Sequence, residues 1–157
     1  MKHLIVNFIK KKYFFSIIKK MIKRLEKDTS VEAIKWAKSN VKQTTEEFCK
    51  SIDVLLYDEV QSDTRLIEKE ARENLSKLNI SFGGRGNFIL LYFLIRKYKL
   101  LNIVETGVAA GWSSLAILKA LKKNNNGHLY SSDFPYFRLK NPEKYIGYLA
   151  KNESNKN

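Results

Sequence analysis

Cysteine, proline, histidine and long apolar runs are all scarce in this sequence of 157 residues, a length that suits one domain. Cys49 is alone, so no disulfide can form within the chain, and we expect a reducing, cytoplasmic location. We interpret Cys49 as a small buried hydrophobic residue, since no nucleophile signature surrounds it. The two histidines and the cysteine are scattered, which predicts no metal site.

Long hydrophobic segments are missing as well. The longest apolar run, Phe88–Ile95, ends at Arg96 and is too short to cross a membrane. The apolar start, Leu4–Ile9, is interrupted by lysines and is not followed by a cleavage site of small residues, so it is not typical of a signal peptide. Any membrane association is therefore expected to be peripheral.

Arginine supplies only six of the 29 cationic residues. The formal net charge is +13, but contacts to phosphates and bases favour arginine over lysine, so nucleic acid is not an expected partner. Residues 1–27 hold nine of the cations and one acid, Glu26. Only the charge suggests the alternative of an RNA-binding protein, and most of that charge lies near the N-terminus.

Four segments follow from pattern and composition: residues 1–28, 29–79, 80–136 and 137–157. The first is predicted to be a basic amphipathic helical segment, with lysines opposite an apolar face. That face could lie on an anionic membrane surface through residues 1–27, or it could pack on the protein body, which we favour. Its members are Phe14, Ile18, Met21, Ile22 and Leu25.

Residues 29–79 are predicted to form a helical extension. Capping boxes at Thr29 and Thr44 each begin a helix, the first ending near Lys38. The second helix is expected to break at Gln61–Thr64. The apolar stripes predicted for the second helix and for the one after the break are Phe48, Ile52, Leu55 and Leu56, then Leu66, Ile67, Ala71, Leu75 and Leu78.

Residues 80–136 change in character. A glycine-rich loop, Gly83–Gly86, precedes a helix that is apolar on almost every side and is therefore predicted to be buried. A strand, a loop, a helix and a second strand follow, which is a βαβ unit and requires a parallel sheet. The predicted bounds are 87–98 for the buried helix, 100–105 for the first strand, 107–111 for the loop, 112–123 for the helix and 128–132 for the second strand. Residues 137–157 are predicted to hold a loop, a short helix near 143–150 and a polar tail.

The βαβ unit carries the chemistry. Its first strand ends in Glu105, Gly107 and Gly111 lie in the turn to the helix, and Asp133 follows the second strand. Glycines let a ligand approach the backbone, and the N–H groups at a helix N-terminus favour a carboxylate. Glu105 suits a cationic amine, and Asp133 suits a ribose diol. There is neither a third glycine nor a phosphate-binding lysine, so the pattern indicates an aminoacyl-type nucleoside without pyrophosphate.

Residues 104–114 resemble the first motif of class I S-adenosylmethionine-dependent methyltransferases, of the type found with bacterial carbohydrate and secondary-metabolite genes. Residues 127–135 are similar to the second-strand segment of that family, and the Gly83–Gly86 loop to the element before the first motif. The resemblance covers about a third of the chain. It implies that Glu105 and Gly107 hold the methionine part of the cofactor, that Ser113 or Ser114 assists, and that Asp133 binds the ribose. From the residues alone, both serines are better interpreted as helix caps.

The resemblance implies an α/β fold in which helices precede the first βαβ unit of a Rossmann-like methyltransferase. Only two strands are evident, so we expect a truncated or split form that is inactive alone and needs an oligomer or a complementing chain. Neither a catalytic residue nor the methyl acceptor is identified. The alternative is a non-catalytic helical protein that binds a membrane surface or a partner and retains a structural βαβ unit.

Overall fold

A computed structural model of the chain describes residues 14–23, 30–78, 80, 82–134, 136 and 139–154. These residues fall into two units. The first lies within residues 1–44 and 134–143, and the second within 45–133 and 144–157. None of the helices in the described ranges is long and apolar enough to cross a membrane.

The described residues of the first unit contain two helices, α1 (Phe14–Lys23) and α2 (Ser30–Asn40). Both confirm helices predicted from the sequence, although Leu25 and Thr29 lie outside the described residues. Within the apolar face predicted for α1, Met21 and Ile22 are exposed, whereas Ile17, which was not assigned to that face, is buried. Peripheral membrane binding by residues 1–27 stays a prediction.

The second unit is mixed α/β and mostly helical, with a two-stranded parallel sheet among its described residues. Asn102 pairs with His128 and Thr106 with Ser132, so both strands end at the same edge. One face of the sheet carries Val104 and Tyr130, which are exposed. The elements are α3 (Thr45–Ile52), α4 (Val54–Ser76), α5 (Phe88–Tyr98), β1 (Asn102–Thr106), α6 (Trp112–Asn124) and β2 (His128–Ser132); a 3₁₀ turn (Pro142–Lys144) and α7 (Lys151–Ser154) follow later in the chain.

The predicted helix break at Gln61–Thr64 is wrong, and the chain breaks at Asp53 instead. Asp53 is extended, and its side chain accepts a hydrogen bond from the N–H of Leu56 at 3.0 Å, which caps α4. This hydrogen bond is the main reason that the pKa of Asp53 is lowered, and the hydrogen bond with Lys97 is the second. Thr64 does not interrupt the helix, since its hydroxyl donates to the carbonyl of Val60. Leu55 and Leu66 are largely exposed, so neither belongs to the buried stripes predicted for them.

The buried helix predicted before the first strand is confirmed as α5, with Asn87 as its N-cap. Tyr92, Phe93 and Ile95 pack in one core cluster with residues of α3, α4 and α6. Cys49 belongs to that cluster and is fully buried, which confirms its hydrophobic role and raises the pKa of its thiol. A second cluster joins Ala71, Phe88, Trp112, Leu115 and Ala116. Helices α3, α4 and α5 therefore share their core with α6.

A charged network joins α4, α5 and α6 at the edge of this core. The amine of Lys123 lies 3.1 Å from Oδ2 of Asp63, and the guanidinium of Arg96 lies 3.2 Å from Glu59. Arg96 also donates to the side chain of Asn124, which donates in turn to the carbonyl of Ile95. The network fixes three helices relative to one another through groups that belong to none of the predicted motifs.

The short helix predicted near 143–150 is not formed as such. Residues 142–144 form the 3₁₀ turn, residues 145–150 are turns, and α7 covers Lys151–Ser154, where a polar tail was expected. Glu153 explains why the chain is ordered there: it pairs with Lys119 of α6 at 2.8 Å. Because Glu153 is mostly buried, this ion pair holds α7 against α6.

Replacing Tyr92 by Phe should make stability less sensitive to alkaline pH. Burial first, and the charge of Asp63 second, raise the pKa of Tyr92 from 10.0 to about 12. Between these values the unfolded chain releases the phenol proton and the folded chain keeps it, so the free energy of unfolding falls as pH rises. Tyr92→Phe should show a smaller fall over that window, and should lose about 1 kcal/mol at neutral pH with the hydrogen bond to Asp63.

Urea unfolding at several pH values checks this prediction. Tyr98→Phe is the matched control, because Tyr98 lies on the same helix but is exposed. The lysine contribution is common to all three proteins, so only the difference between their slopes is interpreted. Equal slopes for Tyr92→Phe and the unaltered chain would contradict the assignment.

Candidate functional site

The candidate site lies at the edge where β1 and β2 both end, around the loop from β1 to α6. Gly107 and Gly111 have φ angles of +83° and +92°, and Ala109 between them has +49°. These left-handed conformations explain the two glycines of the motif. The N–H of Gly107 donates to the carbonyl of Ser132 at 2.9 Å, which fixes the start of the loop on β2.

Asp133 holds the middle of this loop. Its Oδ2 atom accepts a hydrogen bond from the N–H of Ala109 at 2.5 Å. The residue that follows the second strand is thus tied to the backbone of the loop that follows the first. A carboxylate that accepts from a backbone N–H makes a charge-assisted bond, which is stronger than a neutral one. Asp133 therefore has a structural role that the sequence did not indicate.

Glu105 lies behind the loop and is 8% exposed. Its Oε2 atom accepts from the hydroxyl of Ser114 at 2.5 Å and from that of Ser131 at 2.9 Å. Its Oε1 atom is buried and has no hydrogen-bond partner among the residues that the structure describes. Among the described residues, none of the ion pairs includes Glu105. A buried carboxylate supported only by neutral hydroxyls is costly, and it favours a cationic partner.

A cavity of about 190 Å³ lies between this loop and the glycine-rich loop before α5. Gly107 and Ser113 line it, together with Arg85 and Trp112. A Cβ atom placed on Gly107 would meet no atom within 4 Å, so this side of the loop is open to a ligand. Glu105, Gly111 and Asp133 are not among its lining residues. The structure therefore brings two of the five predicted site residues to the cavity and places the other three around the loop that bounds it.

Gly111 corrects one expectation. The sequence suggested that it leaves room for a ligand at the start of α6, but Gly147 occupies that space: a Cβ atom on Gly111 would lie 2.9 Å from the Cα of Gly147. The turn around Gly147 is bonded to the loop, since the N–H of Gly147 donates to the carbonyl of Ala109 and that of Leu149 to Ala110. Gly111 is thus required by a close approach within the chain as well as by its φ angle.

The two serines also differ from their interpretation as caps. Gly111 is the N-cap of α6, and no side chain caps this helix. Ser114 instead donates its hydroxyl to Glu105, while Ser113 is half-buried and lines the cavity. The first-turn N–H groups of α6 have no intrahelical acceptor, which leaves the positive end of the helix able to interact with an anion.

Sequence reasoning missed Ser131 and the turn around Gly147. The signal for Ser131 was its place in β2, because the parallel register sets it beside Glu105. That register follows only from the paired strands, so the sequence alone could not give it. The turn at Gly147 carries no motif, and its position depends on hydrogen bonds between segments far apart in the chain.

Comparison of this chain with protein-family models, with curated proteins and with solved structures finds no match. The site is therefore interpreted from its own geometry. Within the described residues there is no group of three or more His, Cys, Asp or Glu side chains arranged to hold a metal ion.

Gly111→Ala should destabilise the second unit and detach the turn around Gly147. The left-handed backbone and the short approach to Gly147 together should cost about 1–3 kcal/mol of unfolding free energy. Gly84→Ala is the control, since a Cβ atom there meets nothing within 4 Å. Thermal unfolding and amide hydrogen exchange at residues 147 and 149 measure the two effects. Equal stability of the two variants would show that the approach of Gly147 is not close in solution.

Proposed function

We propose that this chain holds S-adenosylmethionine and contributes the cofactor-binding part of a class I methyltransferase, with a Rossmann-like βαβ unit formed by β1, α6 and β2. The observation that carries the proposal is the unpaired buried Oε1 atom of Glu105, behind a glycine loop whose middle is held by Asp133. Bound S-adenosylmethionine supplies an electrophilic methyl group on a sulfonium, while the residues named below bind and orient the molecule.

Each polar part of the cofactor has a complementary group near this loop. Glu105 would take the ammonium group, because its carboxylate is buried and has only hydroxyl partners. The uncapped N-terminus of α6, with Ser113 in its first turn, would take the carboxylate. Asp133 would accept the ribose hydroxyls, as acids after a second strand do in nucleotide-binding α/β folds.

The glycine loop suits such a ligand for a second reason. Gly107 presents an open backbone to the 190 Å³ cavity, so the amino-acid part of a ligand can lie against it. The loop itself is held by Ser132, Asp133 and Gly147, so little ordering is required on binding. The cavity is smaller than a typical ligand pocket, which suits one end of the molecule rather than the whole.

Glu105→Gln and Asp133→Asn should each weaken S-adenosylmethionine binding by about 1.5–3 kcal/mol, the value of a charge-assisted hydrogen bond. Both replacements keep an oxygen acceptor, so the hydrogen bonds from the hydroxyl of Ser114 and from the N–H of Ala109 can persist and the fold should be retained. Asp133→Ala removes the acceptor as well and should also destabilise the loop. Comparing Asn with Ala at this position separates ligand binding from loop support.

Calorimetry on the full chain measures these affinities, with circular dichroism as the check on folding. Asp58→Asn on α4 is the matched control for loss of one negative charge, since Asp58 is exposed and distant in sequence from the loop. S-adenosylhomocysteine, which keeps the amine, carboxylate and ribose, should show the same pattern of losses. Binding of NADH without S-adenosylmethionine would overturn the proposal, as would affinities in Glu105→Gln and Asp133→Asn equal to that of the control Asp58→Asn.

A further inference from the structure

We propose that a second cavity, beside the loop from β1 to α6, binds a small apolar molecule carrying one carboxylate or phosphate group. This binding site does not rest on the proposed function. The cavity measures about 620 Å³, which is within the range of small-molecule sites. It shares Gly83, Gly84, Arg85 and Trp112 with the 190 Å³ cavity, so the two adjoin.

The charge of the second cavity comes from two arginines. Arg72 and Arg85 both line it, and none of the lining residues in the described part of the chain is acidic. Glu68 lies behind them: the Nε atom of Arg85 is 3.2 Å from its Oε1 atom, and Arg72 donates to the same atom through Nε and Nη2 at 3.0 and 2.6 Å. Two guanidinium groups on one carboxylate leave one positive charge, and each guanidinium has five N–H donors. A carboxylate or a phosphate is the kind of group that the N–H donors of the two guanidinium groups can bind.

Apart from Ser76 and the two glycines, the remaining wall of this cavity is apolar. Leu75, Leu78, Phe82 and Trp112 line it, and Trp112 is packed edge-on against Phe88 at 5.9 Å between ring centroids. The guanidinium of Arg72 lies 5.8 Å from the centre of the Trp112 ring, which fixes the arginine over the aromatic surface. An inorganic ion would leave this apolar wall exposed to water, so the favoured ligand has an apolar body as well as an anionic group.

Trp112 offers a direct readout of binding at this position. The chain has two tryptophans, and the other, Trp36, is exposed on α2. In a Trp36→Phe chain the fluorescence therefore reports on Trp112 alone. Four probes are titrated into the full-length chain with this replacement: phenylacetate, phenyl phosphate, the neutral 2-phenylacetamide, and inorganic phosphate.

Phenylacetate or phenyl phosphate should bind at least tenfold more tightly than 2-phenylacetamide and than inorganic phosphate. The tighter of the two aromatic anions identifies the anionic group. Arg72→Gln and Arg85→Gln should each weaken that anion about tenfold and change amide binding less than twofold, a contrast that a merely structural change would not produce. Arg65→Gln, an exposed arginine of α4 outside both cavities, should change nothing.

Equal binding of acid and amide overturns the proposal, as does an unchanged anion affinity in both arginine variants or the absence of any response at Trp112. If an arginine variant does not fold, the comparison of the four probes decides alone. The same chain is titrated with S-adenosylmethionine. Anion binding without cofactor binding refutes the methyltransferase function and leaves the anion site in the second cavity standing. Cofactor binding without anion binding refutes only the anion site.

Discussion

The buried carboxylate of Glu105 is the group around which the end of the sheet is organised. Ser114 of α6 and Ser131 of β2 both donate to its Oε2 atom, so one side chain of β1 connects all three elements of the βαβ unit. Hydrogen bonds to a charged group contribute more than neutral ones, but two hydroxyls do not replace the hydration that a carboxylate loses. The position is stable only because packing supports it, and its unpaired Oε1 atom is the strongest indication of a ligand.

The loop in front of Glu105 is fixed from two sides. Asp133 binds the N–H of Ala109, and the turn around Gly147 binds the carbonyls of Ala109 and Ala110. Donor and acceptor groups of the same short segment are thus satisfied by residues from different parts of the chain. A loop constrained in this way presents the backbone of Gly107 in one conformation, which is what recognition of a small ligand requires.

The helices before the sheet determine the other walls of the two cavities. Glu68 and Arg72 come from α4, while Arg85 lies in the glycine-rich loop between α4 and α5, so their meeting point depends on how α4 packs against α5 and α6. The core cluster around Phe93 and the charged network of Asp63, Arg96 and Lys123 fix that packing. The helical segment, which carries no motif of its own, therefore supplies Arg72, one of the two arginines beside the candidate site.

The sequence determined the local elements of this protein. Local patterns were sufficient for α2, α5, α6 and β2, because periodicity and capping signals act between residues that are close together in the sequence. The helix break at Asp53 escaped prediction, since Asp, Thr and Ser each favour both caps and turns, and packing selects among them. The glycines at 107 and 111 were recognisable because a left-handed backbone restricts the residue type at a single position.

Only the tertiary structure decided what those residues contact. The parallel register set Ser131 beside Glu105, the turn at Gly147 closed the space at Gly111, and α4 brought Arg72 to Trp112. Each of these contacts joins segments separated by many residues, and its formation depends on the summed packing of the core rather than on local preference. The sequence by itself therefore specified the two strands, several of the helices and the glycine loop, while the fold decided which of their side chains meet at the site.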